Sequence, residues 1–96
     1  MKFIGTEITS SDFESEIKVT VYGVRLYCFI TCSYSTDADG DVYLFGFNIS
    51  AGDGHILAKN GAWHNAIIDA VEEDIIEAIK IWQTAQYEKE VQQGGF

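Results

Sequence analysis

The residues of this chain that could perform chemistry include a run of three aspartates with regular spacing. Asp37, Asp39 and Asp41 have the one-three-five pattern that opens a calcium-binding loop. An EF-hand loop also needs glycine at its sixth position and a bidentate glutamate at its twelfth. Here Gly40 occupies the fourth position and Asn48 the twelfth, so we interpret the run as a polar turn between two strands.

The two histidines, His55 and His64, are the next candidates for chemistry. Either could join Asp53 or Asp69 as a ligand of zinc or iron, because imidazole and carboxylate groups suit those ions. Their spacing matches no standard metal motif. We expect ordinary surface or helix-cap positions for both, and we predict no metal site and no cofactor.

The two cysteines, Cys28 and Cys32, lie four positions apart in an apolar segment. In one strand they would be about 13 Å apart, at about 3.3 Å per residue, whereas a disulfide needs Cα atoms within about 7 Å. We predict two small, buried, unreactive thiols. Since no nucleophile is tied to a base and an orienting group, we predict that the protein is not an enzyme.

The first half of the chain alternates apolar and polar residues with the period of two that is typical of strands. Turns are indicated at residues 10–12, at Gly23, at 35–41 and at 52–54. Gly23 predicts a tight hairpin, with a bulge in one longer strand as the alternative. The predicted strands are 2–8, 16–22, 25–34 and 42–50, with 55–58 as a short returning strand. Strict alternation in the fourth strand places Tyr43, Phe45, Phe47 and Ile49 on one face, and Val42 and Leu44 on the other.

Residues 62–92 are predicted to form one long helix. Asn60 is the expected N-cap, and Gly94 and Gly95 are expected to end the helix. The apolar stripe of the helix consists of Ile67, Val71, Ile75, Ala78 and Trp82, flanked by Ile68 and Ile79. Such a helix would be about 46 Å long, so its last turns should overhang the sheet.

These elements predict an α+β fold: a two-layer domain in which one long C-terminal helix packs on an antiparallel meander of four to five strands. We expect a single domain over residues 1–96, with a β-meander (1–58), the helix (61–92) and a tail (93–96). One helix covers one face of the sheet. The other face, which holds either Tyr27 and Phe29 or their opposite neighbours, should stay open and mark an interface. A homodimer packed sheet to sheet, or a bound partner, would cover it.

The net charge of the protein limits the kinds of molecule that it can bind. Fifteen acids against six bases give a formal charge of -9. This argues against direct binding of nucleic acid and disfavours anionic membranes. No apolar run approaches the roughly 18 residues of a membrane span, and no signal peptide is visible, so the cytoplasm is the expected compartment. A surplus of this size favours salt-dependent association with basic proteins.

The predicted helix also carries the densest acidity. Five carboxylates and no basic residue lie between Asp69 and Glu77. The acids recur every three or four residues, about 5–6 Å apart, on the face opposite the apolar stripe. Ile76 falls among them, and an apolar residue in an acidic field is typical of a protein-binding spot, although a solvated face is the alternative. The predicted partner-binding site consists of Asp69, Glu72, Glu73, Ile76 and Glu77.

In size and charge the chain resembles small immunity, anti-restriction and anti-CRISPR proteins, some of which are DNA mimics. The resemblance implies a stoichiometric inhibitor that occupies the basic groove of a nucleic-acid-binding protein or nuclease complex. Two alternatives remain open. One is a small homodimeric structural or assembly module that uses the open sheet face. The other is a small-ligand-binding domain with a pocket between sheet and helix.

Overall fold

The computed structural model describes the backbone of residues 1–94 and the side chains of residues 1–89. The elements in chain order are β1 (Lys2–Ile8), β2 (Asp12–Val21), β3 (Val24–Thr36), β4 (Val42–Ala51) and α1 (Ala62–Gly94). The strands form one antiparallel sheet in the order β1-β2-β3-β4. The helix packs on one face of it, against β2 and β4. The predicted two-layer α+β fold is therefore confirmed.

The hairpin between β2 and β3 turns through Tyr22 and Gly23, whose φ angles are +51° and +74°. Val21 pairs directly with Val24, so the connection is a two-residue turn of the kind that matches strand twist. The hairpin predicted at Gly23 is confirmed. The ring of Tyr22 packs edge-on against that of Trp63, with centroids 5.3 Å apart. This contact joins the hairpin tip to the first turn of α1.

An extra residue in β4 interrupts its pairing with β3. Thr31 pairs with Asn48 and Ser33 pairs with Phe45, so two residues of β4 lie opposite one residue of β3. Gly46 occupies this bulge with a φ of +67°, a left-handed conformation that glycine adopts at little cost. A second bulge in β1, with Gly5 at φ +64°, gives both edge strands the same irregularity.

The bulge in β4 changes which side chains face the helix. Val42 and Leu44 before it, and Phe47 and Ile49 after it, all pack in the core. We predicted that Phe47 and Ile49 share a face with Tyr43 and Phe45, and this is wrong. An inserted residue shifts the two-residue period by one, so every side chain after it exchanges faces.

One hydrophobic core lies between the sheet and α1. On the helix its centre is a row spaced four residues apart, with no exposed area: Ile67, Val71, Ile75 and Ile79. On the sheet it includes Phe13, Ile17, Val19, Val21, Cys28, Ile30, Cys32 and Tyr34. Ile79, predicted as a flanking residue, belongs to the central row, and Ala78 and Trp82 lie half-buried beside it.

The helix α1 begins at Ala62, as predicted, but its N-cap lies one residue later than predicted. The amide of Asn65 donates to the carbonyl of Gly61 at 3.0 Å, which makes Gly61 the N-cap. Asn60 has a φ of +64° and belongs to the preceding turn, in which the Gly61 amide donates to Ala58. The N-cap prediction at Asn60 is therefore wrong. The returning strand predicted at 55–58 is reduced to a single bridge between Ser50 and Ile56.

The far end of α1 extends past the sheet, as its length predicted. The side chains of residues 84–89 are all exposed, and the molecule measures 51 Å along its longest axis. The helix continues through Gly94, and the predicted stop at Gly94 and Gly95 falls partly on Gly95, outside the described residues. Within residues 1–94, no helix is both long enough and apolar enough to cross a bilayer.

Candidate functional site

The predicted carboxylates project from α1 on the side away from the sheet. Asp69, Glu73 and Glu77 are exposed and four residues apart, and Glu72 lies half-buried at their edge. Because the opposite side of the helix is fixed in the core, the Cα positions of these residues stay on the outer side of the helix. We call this group of four the acidic helix face.

Within residues 1–89, whose side chains are described, the carboxylates of the acidic helix face have no cationic partner within 4.0 Å. Among the residues with described side chains, the one ion pair within 4.0 Å joins His55 Nδ1 to Asp53 Oδ2, at 2.8 Å. Lys80 lies on the same side of the helix as Glu77 but is not paired with it. The negative charge of this face is therefore displayed to solvent.

Ile76, predicted as an apolar contact among these acids, is half-buried and packs against the core. Only part of its side chain is free to meet a partner. The exposed apolar residue on this part of the helix is Ile81, of which 64% is accessible, in a shallow depression between Glu77, Lys80 and Thr84. Ile81 lies beyond the acidic run at residues 69–77, so the run did not point to it, although a helical wheel extended by one turn includes it.

The sheet face that α1 leaves uncovered carries four aromatic side chains. Tyr27, Phe29, Tyr43 and Phe45 are between 41% and 54% exposed. The structure thus places Tyr27 and Phe29 on the uncovered side, and the Gly46 bulge adds Tyr43 and Phe45. We call this surface the open face.

One end of the open face contains a cavity of about 330 Å³. Its lining includes three acids, Glu7, Asp12 and Glu14, and we call it the acidic hollow. Glu7 and Glu14 are direct cross-strand partners, and a hydrogen bond between their carboxyl groups raises the pKa of Glu14. The hydroxyl of Ser33 donates to Asp12 at 2.9 Å. The sequence showed these acids near the N-terminus, but only the strand pairing brings them together.

The three aspartates of the β3–β4 loop place carboxylate oxygens within 4.8 Å of one another. Asp37 organises this loop: it accepts hydrogen bonds from the amides of Asp39 and Asp41, at 2.9 and 3.0 Å, and from the Tyr43 hydroxyl at 2.9 Å. These donors, the Tyr43 hydroxyl most of all, lower the pKa of Asp37. These are the hydrogen bonds of the predicted polar turn, and they fix the position of the Asp37 carboxylate.

The candidate nucleophiles lie in the core. Cys28 and Cys32 are free and buried, and burial raises the pKa of both thiols, that of Cys32 to about 12. They therefore stay protonated, and unreactive, at neutral pH. His64 is buried with neither ring nitrogen hydrogen-bonded, whereas His55 is exposed beside Asp53.

A small apolar cavity lies between β3 and the start of α1, and it bears on the alternative of a ligand-binding domain. Its volume is about 220 Å³, and Leu26, Leu57, Trp63 and Ile67 are among its lining residues. Ligand pockets usually measure about 300–1,000 Å³ and add a few convergent polar groups. This cavity is smaller and is lined almost entirely by apolar groups.

No protein-family model matches this chain, and no curated protein or solved structure matches it either. A proposal about function therefore depends on the surfaces described above.

Proposed function

We propose that this chain is a small, acidic, non-catalytic binding protein that inhibits a basic, nucleic-acid-binding protein or nuclease complex by covering its positively charged surface. The observation that carries the proposal is the acidic helix face, a row of exposed carboxylates with no lysine or arginine partner in the described part of the chain. Uncompensated charge of this kind attracts an oppositely charged surface before contact and speeds association.

The helix holds this charge in a fixed arrangement. Ile67, Val71, Ile75 and Ile79 anchor the inner side of α1, so the backbone that carries the carboxylates needs no ordering when a partner binds. Neighbouring acids on a helix are about 5–6 Å apart, loosely like successive phosphates of a nucleic-acid strand. This spacing supports a basic groove built for nucleic acid as the target, as in the inhibitor classes that the chain resembles in size and charge.

The two-layer fold determines which apolar residues can contact the same partner as these acids. The open face lies on the opposite side of the molecule from the acidic helix face, so one flat partner cannot contact both. Ile81 lies one turn beyond Glu77 and is exposed. In the proposed complex, Asp69, Glu72, Glu73 and Glu77 attract the partner, and Ile81 with the accessible part of Ile76 provides apolar contact that slows dissociation.

The cytoplasm is the proposed place of action. Two free, buried thiols suit a reducing compartment, where disulfides are rare.

A pair of charge-reversal variants tests the proposal. We expect Glu73→Lys with Glu77→Lys to weaken binding to a basic partner at least about tenfold, because the reversed charges repel the surface that they should attract. The partner is captured on immobilised wild-type protein at low salt and eluted at high salt. It is then assayed for nucleic-acid binding or cleavage in the presence of increasing wild-type protein, and inhibition should be complete at a fixed stoichiometry.

The matched control is Asp39→Lys with Asp41→Lys, which changes the net charge equally but in the β3–β4 loop. Neither of these carboxylates accepts a hydrogen bond in the described structure. Binding should fall much less in the control. Equal losses in both variants would show that net charge alone matters, and unchanged binding after reversal of Glu73 and Glu77 would refute this site.

A further inference from the structure

The open face differs in charge from the rest of the chain. It carries three of the six bases, Lys2, Lys18 and Arg25, and four acids, Glu7, Asp12, Glu14 and Glu16. The remaining residues have three bases and eleven acids. A protein with a formal charge of -9 thus has one nearly neutral face, on which the aromatic side chains are also exposed.

The charges on this face are separated along the strands. Three open-face pairs follow one another across β1 and β2: Lys2–Lys18, Ile4–Glu16 and Glu7–Glu14. The lysine pair and the glutamate pair therefore lie on opposite sides of the middle pair, each two residues away along β2. Arg25, on β3 opposite Thr20, extends the basic end. Asp12 extends the acidic end.

We propose that a second copy of this chain packs on the open face, related to the first by a two-fold axis that lies perpendicular to the strands and passes through the row of Ile4 and Phe29. A half-turn about this axis places each strand over its own counterpart in the reverse direction. The lysine pair of each copy then meets the glutamate pair of the other, so the favourable contact is made twice. Ile4 and Phe29 meet their counterparts at the axis and make apolar contacts there. Glu16, which lies between them on β2, also meets its counterpart, and the two contacts between lysine and glutamate pairs outweigh this repulsion.

The shape of the two ends agrees with this packing. The acidic end is concave, a hollow of about 330 Å³, and the basic end carries long side chains whose apolar stems can enter such a hollow with the charge at the tip. Within one copy, Glu7 and Glu14 repel each other across the strands, and this contributes to the raised pKa of Glu14. Lysines of the second copy would relieve that repulsion.

The same charge pattern argues against other occupants of the face. A two-fold axis parallel to the strands through the centre of the sheet would place β2 of one copy over β3 of the other and β1 over β4, so the lysine pair of one copy would not reach the glutamate pair of the other. A uniformly basic partner would meet Lys2, Lys18 and Arg25, and a nucleic acid would meet the acidic hollow. A second copy in the proposed orientation is the occupant that matches both ends.

The open face is also large enough for a stable contact. Four strands spaced about 4.8 Å apart and about ten residues long, at about 3.3 Å per residue, project onto about 600 Å². A typical interface buries about 800 Å² of accessible surface per partner. Because side chains are not flat, the accessible surface of a face is larger than its projected area, so a face of this projected size is comparable to a typical interface. Packed sheets in sandwiches keep their strands within about 30° of each other, as this orientation requires.

Charge exchange between residues 14 and 18 tests the proposal. Sedimentation velocity should show a dimer for the wild type. Lys18→Glu alone and Glu14→Lys alone should each raise the dimer dissociation constant at least about tenfold, because like charges then face each other at both contacts. An equimolar mixture of the two variants should recover a dimer that contains one copy of each, detected by native mass spectrometry. The double variant in one chain should recover the homodimer.

The controls separate this proposal from folding defects and from the function of the helix. Lys59→Glu changes the net charge as much as Lys18→Glu but lies off the open face, and it should leave the dimer intact. Glu73→Lys with Glu77→Lys should also leave it intact. If a charge variant fails to fold, as judged by circular dichroism, Phe29→Ala provides a second test at the axis and should also give a monomer.

Three results would overturn the proposal. A wild-type monomer at about 100 µM would mean that nothing in the protein itself covers this face. A mixture of the two folded variants that stays monomeric would refute the predicted pairing. A folded Lys18→Glu chain that forms a homodimer as stable as that of the wild type would show that Lys18 meets no carboxylate of the second copy.

Discussion

At the residue scale, His64 combines burial with unsatisfied polar atoms. It is 6% exposed, lies in the first turn of α1, and neither ring nitrogen has a hydrogen-bond partner. A buried polar group without a partner costs about 1–3 kcal/mol relative to a satisfied one. His64 lies one turn before Ile67, the first residue of the buried apolar row of α1. We infer that this position requires an apolar side chain of similar volume and makes no use of the imidazole nitrogens.

We expect His64→Leu to raise the free energy of unfolding by about 1–2 kcal/mol, because the substitution removes the unsatisfied nitrogens and keeps the volume filled. Urea denaturation at pH 7 measures this. The control is His55→Leu, at an exposed position, which should change stability by no more than about 0.5 kcal/mol. A less stable His64→Leu protein would mean that the imidazole is hydrogen-bonded in solution.

Asp37 stabilises the β3–β4 loop only while it is ionised. The hydrogen bonds from Tyr43 and two backbone amides lower its pKa, so the folded state binds this proton less tightly than the unfolded chain does. The contribution is therefore present above the ordinary aspartate pKa of about 3.9 and is lost as the pH falls through the lower folded value.

We expect Asp37→Ala to lower the melting temperature by a few degrees at pH 7, and we expect the difference from wild type to vanish in strongly acidic buffer. Thermal unfolding followed by circular dichroism at a series of pH values measures both effects. Asp39→Ala removes the same charge from the same loop but none of these hydrogen bonds, so it should have little effect. An Asp37→Ala deficit that is as large in strongly acidic buffer as at pH 7 would contradict the ionic origin of the stabilisation.

At the element scale, the Gly46 bulge controls the composition of both sheet faces. It turns Phe47 and Ile49 into the core and leaves Tyr43 and Phe45 on the open face. A Cβ atom at Gly46 would meet only the Ser33 hydroxyl oxygen, at 3.9 Å, so there is room for a side chain. The requirement for glycine comes from its φ of +67°.

We expect Gly46→Ala to destabilise the protein by about 1–2 kcal/mol, the cost of a left-handed conformation for a residue with a Cβ. Gly46→Asn should cost less although asparagine is larger, because asparagine tolerates this conformation. Chemical denaturation of the two variants compares them directly. If asparagine costs more than alanine, then space rather than backbone conformation limits this position.

At the scale of the whole molecule, the two layers divide the surface by charge. The acidic helix face and the nearly neutral open face point in opposite directions, and the two proposals assign one role to each. If both hold, two sheets pack at the centre of a four-layer dimer and two acidic helices lie outside. Such a dimer presents two binding surfaces, which raises the avidity for a partner that has two basic sites within reach.

The sequence alone determined the elements of this protein and the inward side of most of them. Period-two alternation and the Gly23 turn predicted the meander, and the spacing of apolar residues from Ile67 to Ile79 predicted the helix and its acidic outer side, because these patterns depend on local backbone geometry. The alternation alone did not place the bulges, because a glycine inside a strand is only a general sign of an extra residue there and does not fix the pairing with the neighbouring strand.

Only the tertiary structure decided which groups share a surface. Strand register joined Glu7 to Glu14 and Lys2 to Lys18, and the bulge turned Phe47 and Ile49 into the core while Tyr43 and Phe45 stayed on the open face. The packing of α1 on the sheet buried half of the Ile76 side chain. It also placed the open face and the acidic helix face on opposite sides of the protein. These juxtapositions join residues that are distant in the chain, so no local pattern encodes them; they arise when the sheet and the helix bury one common core.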